Sequence, residues 1–251
     1  MESNFRSHRF GFFEILDHSW SILRQGIVNF LILVLILLIP NIILVSWINP
    51  TLVYGDPDKA LQSLGLLCFW YILYIGLSVL FFITVAYLVE GIVQDRAISL
   101  ADAFRHAFSR LVIFFFVEVL LVMAITAGTM LLIIPGIIVA VYLLFTTSIV
   151  ALRDQGLQAF QYSIDLVKGQ WWRMFGLSLG VMIPIYLTIF VVNLVINEFF
   201  PGIVIASAIG SLVTNILVVL FTIYILVLFL NEDYLRHPVS QPATELEQQE
   251  H

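Results

Sequence analysis

The sequence predicts an all-α, polytopic integral membrane protein of six transmembrane helices, and three observations predict it. Hydrophobic types make up 61% of the 251 residues, against roughly 45–50% in a soluble domain. Charged residues supply only 11%, less than half the usual share of about 25%, too few to cover a water-soluble surface of this size. The apolar residues arrive in blocks of about 20, the length at which a helix crosses the hydrocarbon layer. These blocks are apolar on every side, whereas barrel strands alternate apolar and polar over about ten residues.

Taken in order, the spans are Ile27 to Trp47, Leu64 to Val89, Leu111 to Ile133, Gly136 to Leu152, Met174 to Ile196 and Ile203 to Leu230. The first follows 26 residues of mature-looking sequence, and no alanine precedes Ala60 to build a signal-peptidase site, so it is expected to stay as an anchor. The stretch from Leu111 to Leu152 would be about 63 Å long as one helix, twice the membrane core. It must fold back once. Pro135-Gly136 is the expected reversal, because Pro cannot donate to the preceding turn and Gly tolerates a sharp backbone. The single cysteine, Cys68, lies inside an apolar block and is expected to be a small buried hydrophobe, with no disulfide and no cysteine-based metal site open to it.

Basic residues set the orientation. Arg6, Arg9 and Arg24 precede span one; Arg96, Arg105 and Arg110 lie between spans two and three; Arg153, Lys168 and Arg173 lie between four and five; Arg236 follows span six. Only Lys59, in the loop Ile48 to Ser63 with its Gly55-Asp56-Pro57-Asp58 turn, falls on the other side. The positive-inside rule therefore places both termini in the cytoplasm, and the expected location is a bacterial cytoplasmic (inner) membrane. The net charge of −6 owes much to Glu245, Glu247 and Glu250 in the tail and says little about partners.

The segments before spans one, three and five show apolar residues at helical spacing: Phe12, Leu16, Trp20 and Leu23; Leu100, Phe104, Phe108 and Leu111; Leu157, Phe160, Ile164, Val167 and Trp171. Each reads as a short amphipathic helix at the headgroup level, with Trp20, Trp171 and Trp172 in the interface belt. An offset of 144 residues pairs Leu16 with Phe160, Ser19 with Ser163, Arg24 with Lys168 and Pro40 with Pro184. An offset of 88 pairs Leu16 with Phe104 and His18 with His106. The expectation is a threefold parallel repeat of helix-plus-hairpin modules, about 9–89, 98–152 and 155–230, forming one membrane domain over 1–230. Residues 231–251, rich in Gln, Glu and Pro, are expected to form a disordered cytoplasmic tail.

The stretch LLIIPGIIVAVYLLFTTSIVALRDQGLQAFQYSIDLVKGQWWRMF, Leu131 to Phe175, resembles the YciC-type bacterial inner-membrane proteins and the membrane domain fused to some glycerophosphoryl diester phosphodiesterases. Ile134-Pro135-Gly136, Ala159, Ser163, Leu166, Lys168, Gly169 and Arg173 carry the likeness. The resemblance implies six spans and a connection to lipid or envelope metabolism. Hydrolysis in the fused members belongs to a separate soluble barrel. This chain has no room for one, so phosphodiesterase activity is not expected.

Glu118 is the formally charged residue well inside a span, about 12 Å along its helix from Arg110. A carboxylate there is costly unless paired, so it is a candidate proton- or headgroup-coupling site, or a neutral carboxyl bonded to Asn41, Asn193 or Asn215. Pro40 and Pro184 are expected to kink their spans. Arg105, Arg110, Arg153, Lys168 and Arg173 lie at headgroup height, where each contributes on the order of 1 kcal/mol toward an anionic leaflet. No HExxH or Walker A motif occurs, and every histidine lies outside the spans. No enzyme, metal site, cofactor, channel or nucleic-acid partner is expected. The leading expectation is a non-enzymatic protein that binds membrane lipids or scaffolds a membrane partner, itself a second protein or another copy of this chain. A small transporter using Glu118, or an accessory factor of a membrane complex, is the alternative.

Overall fold

A computed structural model describes residues 2–43, 57–153, 155–200 and 204–236. These form helices α1 (Glu2–Phe5), α2 (Phe12–Gln25), α3 (Ile27–Ile43), α4 (Pro57–Val93), α5 (Leu100–Leu131), α6 (Ile133–Tyr142), α7 (Thr146–Leu152), α8 (Gln158–Val167), α9 (Trp171–Phe199) and α10 (Val204–Arg236), with no strand among the described residues. Among the described residues, five stretches are long and apolar enough to cross a membrane: Cys68–Val93, Leu100–Leu131, Ile133–Leu152, Trp171–Phe199 and Ile205–Arg236. A sixth is added if α2 and the start of α3, bent by 83°, count as one broken span. The protein is therefore an all-helical, multi-pass membrane protein. The loop Ile48 to Ser63 lies largely outside the described residues, as does the tail beyond Arg236.

Glycine decides where the short helices part from the spans. Between α2 and α3 stands Gly26, where an added Cβ would sit 2.6 Å from the Phe30 ring and 3.1 Å from Ile92. A larger residue at that elbow would push the Phe30 ring and the Ile92 side chain of α4 aside. Between α8 and α9 stands Gly169, whose φ of +85° an L side chain would resist. The middle junction has no such residue: from Leu100 to Leu131 neither Pro nor an early Gly interrupts, and α5 runs through as a single helix about 48 Å long. The stretch Leu100 to Leu111, expected as a separate amphipathic helix, is accordingly continuous with the span that follows it. The face that α8 buries also differs from the expected one, being Ala159, Ser163, Leu166 and Val167, while Leu157 points outward at 57% exposure.

The hairpin lies one turn earlier than the Pro-Gly pair. Leu132, in extended conformation, separates α5 from α6, so Pro135 and Gly136 fall in the first turns of α6, where a missing N–H costs nothing. Gly136 is there for contact: its Cβ would come 2.2 Å from Thr129 Cγ2 and 2.9 Å from Thr129 Cα. Below it, the turn at 143–145 between α6 and α7 is held by Ser163. This hydroxyl accepts from Phe145 N–H at 3.1 Å and donates to the Tyr142 carbonyl at 2.9 Å, satisfying groups the broken helix leaves open.

The densest packing lies where the ends of α4, α7 and α10 meet α1, α2 and α8, around Phe10, Ile22, Val89, Phe145, Ile149, Leu166 and Phe229. By contrast, α5 and α9 present Val112, Phe116, Met123, Leu187 and Phe190 outward, as lipid-facing helices do. Cys68 belongs to that outer surface, exposed and not buried. Acyl chains solvate a thiol there as well as a core would. The last helix does not stop at Leu230. It continues in register through Asn231, Glu232, Asp233 and Tyr234, all buried.

Candidate functional site

Two polar sites stand out, one at the Arg-rich end of the bundle and one among the spans. In the first, Arg153, directly after α7, donates from Nη1 to Glu90 Oε1 of α4 at 2.6 Å and from Nη2 and Nε to Asp233 Oδ2 of α10 at 2.5 and 3.1 Å. Tyr162 of α8 donates to the other oxygen of Asp233 at 2.5 Å. Beside it, Arg173 of α9 donates to Glu232 at 2.5 Å and to the Phe10 carbonyl at 2.8 Å, and Gln170 donates to the second Glu232 oxygen at 2.7 Å. Arg9 approaches the same carboxylate at 3.6 Å. Asn231 accepts from Phe10 N–H and donates to the Phe5 and His8 carbonyls, and Gln94 donates to Tyr234.

Glu90, Glu232 and Asp233 are no more than 5% exposed, and carboxylates that deep survive only with cationic partners. Burial alone would lower the Arg153 pKa, but Glu90 and Asp233 outweigh it and hold the guanidinium charged. Burial first, then the bond to Asp233, pushes the Tyr162 phenol above its usual range. Three carboxylates thus face Arg153, Arg173 and Arg9. Each is already held by a guanidinium. The cluster's chemistry is that of a lock between the ends of α4, α7 and α10, with the N-terminal segment clamped on by Asn231.

The second site is a cavity of about 400 Å³ between α3, α4, α9 and α10. Leu37, Phe81, Phe82 and Val218 give it apolar walls, and Tyr74, Ser78, Asn193, Ser211, Thr214, Asn215 and Thr222 give it polar ones. Asn215 is only 8% exposed, and its Nδ2 has no hydrogen-bond partner. A buried amide left so forfeits about 1–3 kcal/mol.

A family model described as "Domain of unknown function (DUF7847)" matches residues 97–236, more than half of the chain. The chain belongs to the DUF7847 family. No curated protein and no solved structure matches it, and the comparisons lend no support to the YciC-type or phosphodiesterase membrane-domain families. The DUF7847 match begins just before α5 and ends with the last residue of α10. It takes in Arg153, Asn215 and Asp233 and leaves Glu90 outside.

The residues expected from the sequence are dispersed over this DUF7847 fold. Asn193 and Asn215 share the cavity. Glu118 does not line it; it is half-buried on α5, and its Oε2 is buried without a partner. The Asn41 side chain lies outside the described residues. Pro40 and Pro184 sit inside α3 and α9. Of the five cations expected at headgroup height, Arg153 and Arg173 are turned inward onto carboxylates, and Arg110 donates to the Arg153 carbonyl at 3.0 Å. Arg105 and Lys168 remain exposed.

Sequence reasoning missed Glu90, Asn231, Glu232, Asp233 and Tyr162. One signal was present: Asn231-Glu232-Asp233 and Glu90 abut apolar runs with no intervening turn residue, so the helix carries them on into the packed layer.

Proposed function

We propose that this chain is a non-enzymatic integral membrane protein that binds lipid or lipid-like molecules in the cavity between α3, α4, α9 and α10. The observation carrying this reading is Asn215, a buried amide with an unspent donor beside a cavity that combines phenylalanine walls with hydroxyls and amides. Sites of this volume and mixed lining are typical of small-molecule binding, and inside a membrane the available molecules are amphiphiles. Around the cytoplasmic end, Phe13, Trp20, Leu157 and Trp172 project outward from α2, α8 and the start of α9. Their projection supports the seating of α2 and α8 at the headgroup level. The clustering of Arg residues on one side supports cytoplasmic termini. Repetition of the first and third modules is supported by α3 and α9, which begin 144 residues apart at Ile27 and Trp171 and carry Pro40 and Pro184 at the same place along the helix.

The test is the lipid that co-purifies with the protein, measured by mass spectrometry and compared with bulk membrane for wild type and Thr214→Phe, which fills the cavity. The expected result is enrichment of one lipid class that falls at least about fivefold in the variant. Bulk-like lipid in both would overturn the reading. The transporter alternative is favoured by one observation, the unpartnered Oε2 of Glu118, and gains ground only if Glu118→Gln abolishes a proton-coupled uptake.

A further inference from the structure

We propose that the cavity selects an uncharged amphiphile, one whose polar part consists of hydroxyl and carbonyl groups, over a lipid bearing a phosphate. The proposal rests on the reading that the cavity holds lipid, and it follows from the lining's donors and acceptors. Among the described residues, no Lys, Arg, His, Asp or Glu lines the cavity. A phosphate seated there would lose its water without gaining a counter-charge, a loss of several kcal/mol.

The neutral polar groups are partly committed already. Ser78 Oγ–H donates to the Ile75 carbonyl, Thr222 Oγ–H to the Val218 carbonyl and Asn193 Nδ2 to the Ile189 carbonyl, each at 2.8 Å. These hydrogens face their own helices: Ser78 and Thr222 are left with lone pairs, which receive hydroxyl hydrogens, and Asn193 keeps its carbonyl oxygen as an acceptor and one amide hydrogen as a donor. Asn215, which lines the cavity and whose Nδ2 has no partner, supplies a further donor for a carbonyl oxygen. A glycerol hydroxyl next to an ester carbonyl satisfies both sets at once, and the acyl chain lies along Leu37, Phe81, Phe82 and Val218. The exposed Arg105 and Lys168, which would suit a phosphate, lie on α5 and at the end of α8, elements that do not border the cavity.

The experiment reconstitutes the full chain in phosphatidylcholine nanodiscs containing equal small fractions of dioleoylglycerol and dioleoylphosphatidic acid, which share their acyl chains and differ by the phosphate. Native mass spectrometry then counts which lipid is retained. Retention of dioleoylglycerol about tenfold above dioleoylphosphatidic acid is expected for wild type. Asn215→Leu, which removes the donor, and Asn193→Leu, at an exposed position that a folding defect would spare, are each expected to bring the ratio toward one. Equal or greater retention of dioleoylphosphatidic acid, lost in the Asn215 variant, would overturn the selectivity while leaving lipid binding in place. Retention of neither lipid above its fraction in the disc would overturn both.

Discussion

Replacing Arg153 with Met isolates the most consequential interaction in the protein. The guanidinium lies 2.6 Å from Glu90 and 2.5 Å from Asp233, whose side chains are only 6% and 4% exposed. A Met of similar length fills the space but leaves two buried carboxylates facing each other without a cation. Breaking a buried pair in this way costs about 3–5 kcal/mol. The lower end applies, because the Arg153 side chain is itself a quarter exposed and one orphaned carboxylate can relieve the repulsion by taking a proton. Chains of this size lose about 2–4 °C of Tm per kcal/mol, so R153M is expected to unfold roughly 6–12 °C below wild type in one detergent at one scan rate. The triple variant R153M/E90Q/D233N removes the stranded charges together with their partner and is expected to recover at least half of that loss. A shift below about 2 °C for R153M, or a triple variant no better than the single, would refute the claim that this cluster locks α4, α7 and α10 together.

Tyr162 gives a prediction in pH. Burial and the bond to Asp233 raise its pKa in the folded protein above the value of about 10 that it has when unfolded. Its stabilising effect is therefore whole below pH 10 and drains away as the pH rises past it. Tyr162→Phe is expected to lower Tm by the worth of one bond to a carboxylate, about 1.5–3 kcal/mol, and to flatten the alkaline part of a Tm-against-pH curve; an unchanged alkaline limb would assign that loss elsewhere. Asn231→Ala strands the Phe10 N–H and frees the segment holding Arg6 and Arg9. Trypsin is expected to cut there about tenfold faster, matching roughly 1.4 kcal/mol of local stability, and equal rates would show that the clamp is idle. Gly136→Leu forces a side chain into Thr129 and is expected to cost about 1–3 kcal/mol, read as a lower Tm, whereas a neutral outcome would mean that α5 and α6 are not in contact.

Long apolar runs are legible because each one alone satisfies the membrane's length requirement, and the last five spans accordingly stand close to where the sequence puts them, while the first, Ile27 to Trp47, runs past the described residues. The short helices are legible only in part. Gly26 and Gly169 break the chain as glycine should, but the pattern from Leu100 to Leu111 looks the same whether or not a break follows, and α5 does not break. The buried lock was not legible. Charges at the end of a span ordinarily mark its exit into water, and Arg153 and Arg173 read as topology signals for that reason. Only the packing of three helix ends under α2 and α8 makes Glu90, Glu232 and Asp233 buried partners for them. The sequence offers Asn193 and Asn215 as possible partners of Glu118, but they meet at a cavity that Glu118 does not line, because residue spacing fixes the depth of a side chain along its helix but not the helix it faces.

The central claim is that the cavity beside Asn215 holds a lipid. The most direct measurement is an electron cryo-microscopy map of the protein in nanodiscs of native membrane lipid. Elongated density is expected along Phe81, Phe82 and Val218, with a polar end within hydrogen-bonding distance of the Asn215 amide. A cavity closed by rearranged side chains, with the Asn215 and Asn193 amides bonded to each other and no density between α4 and α10, would contradict it.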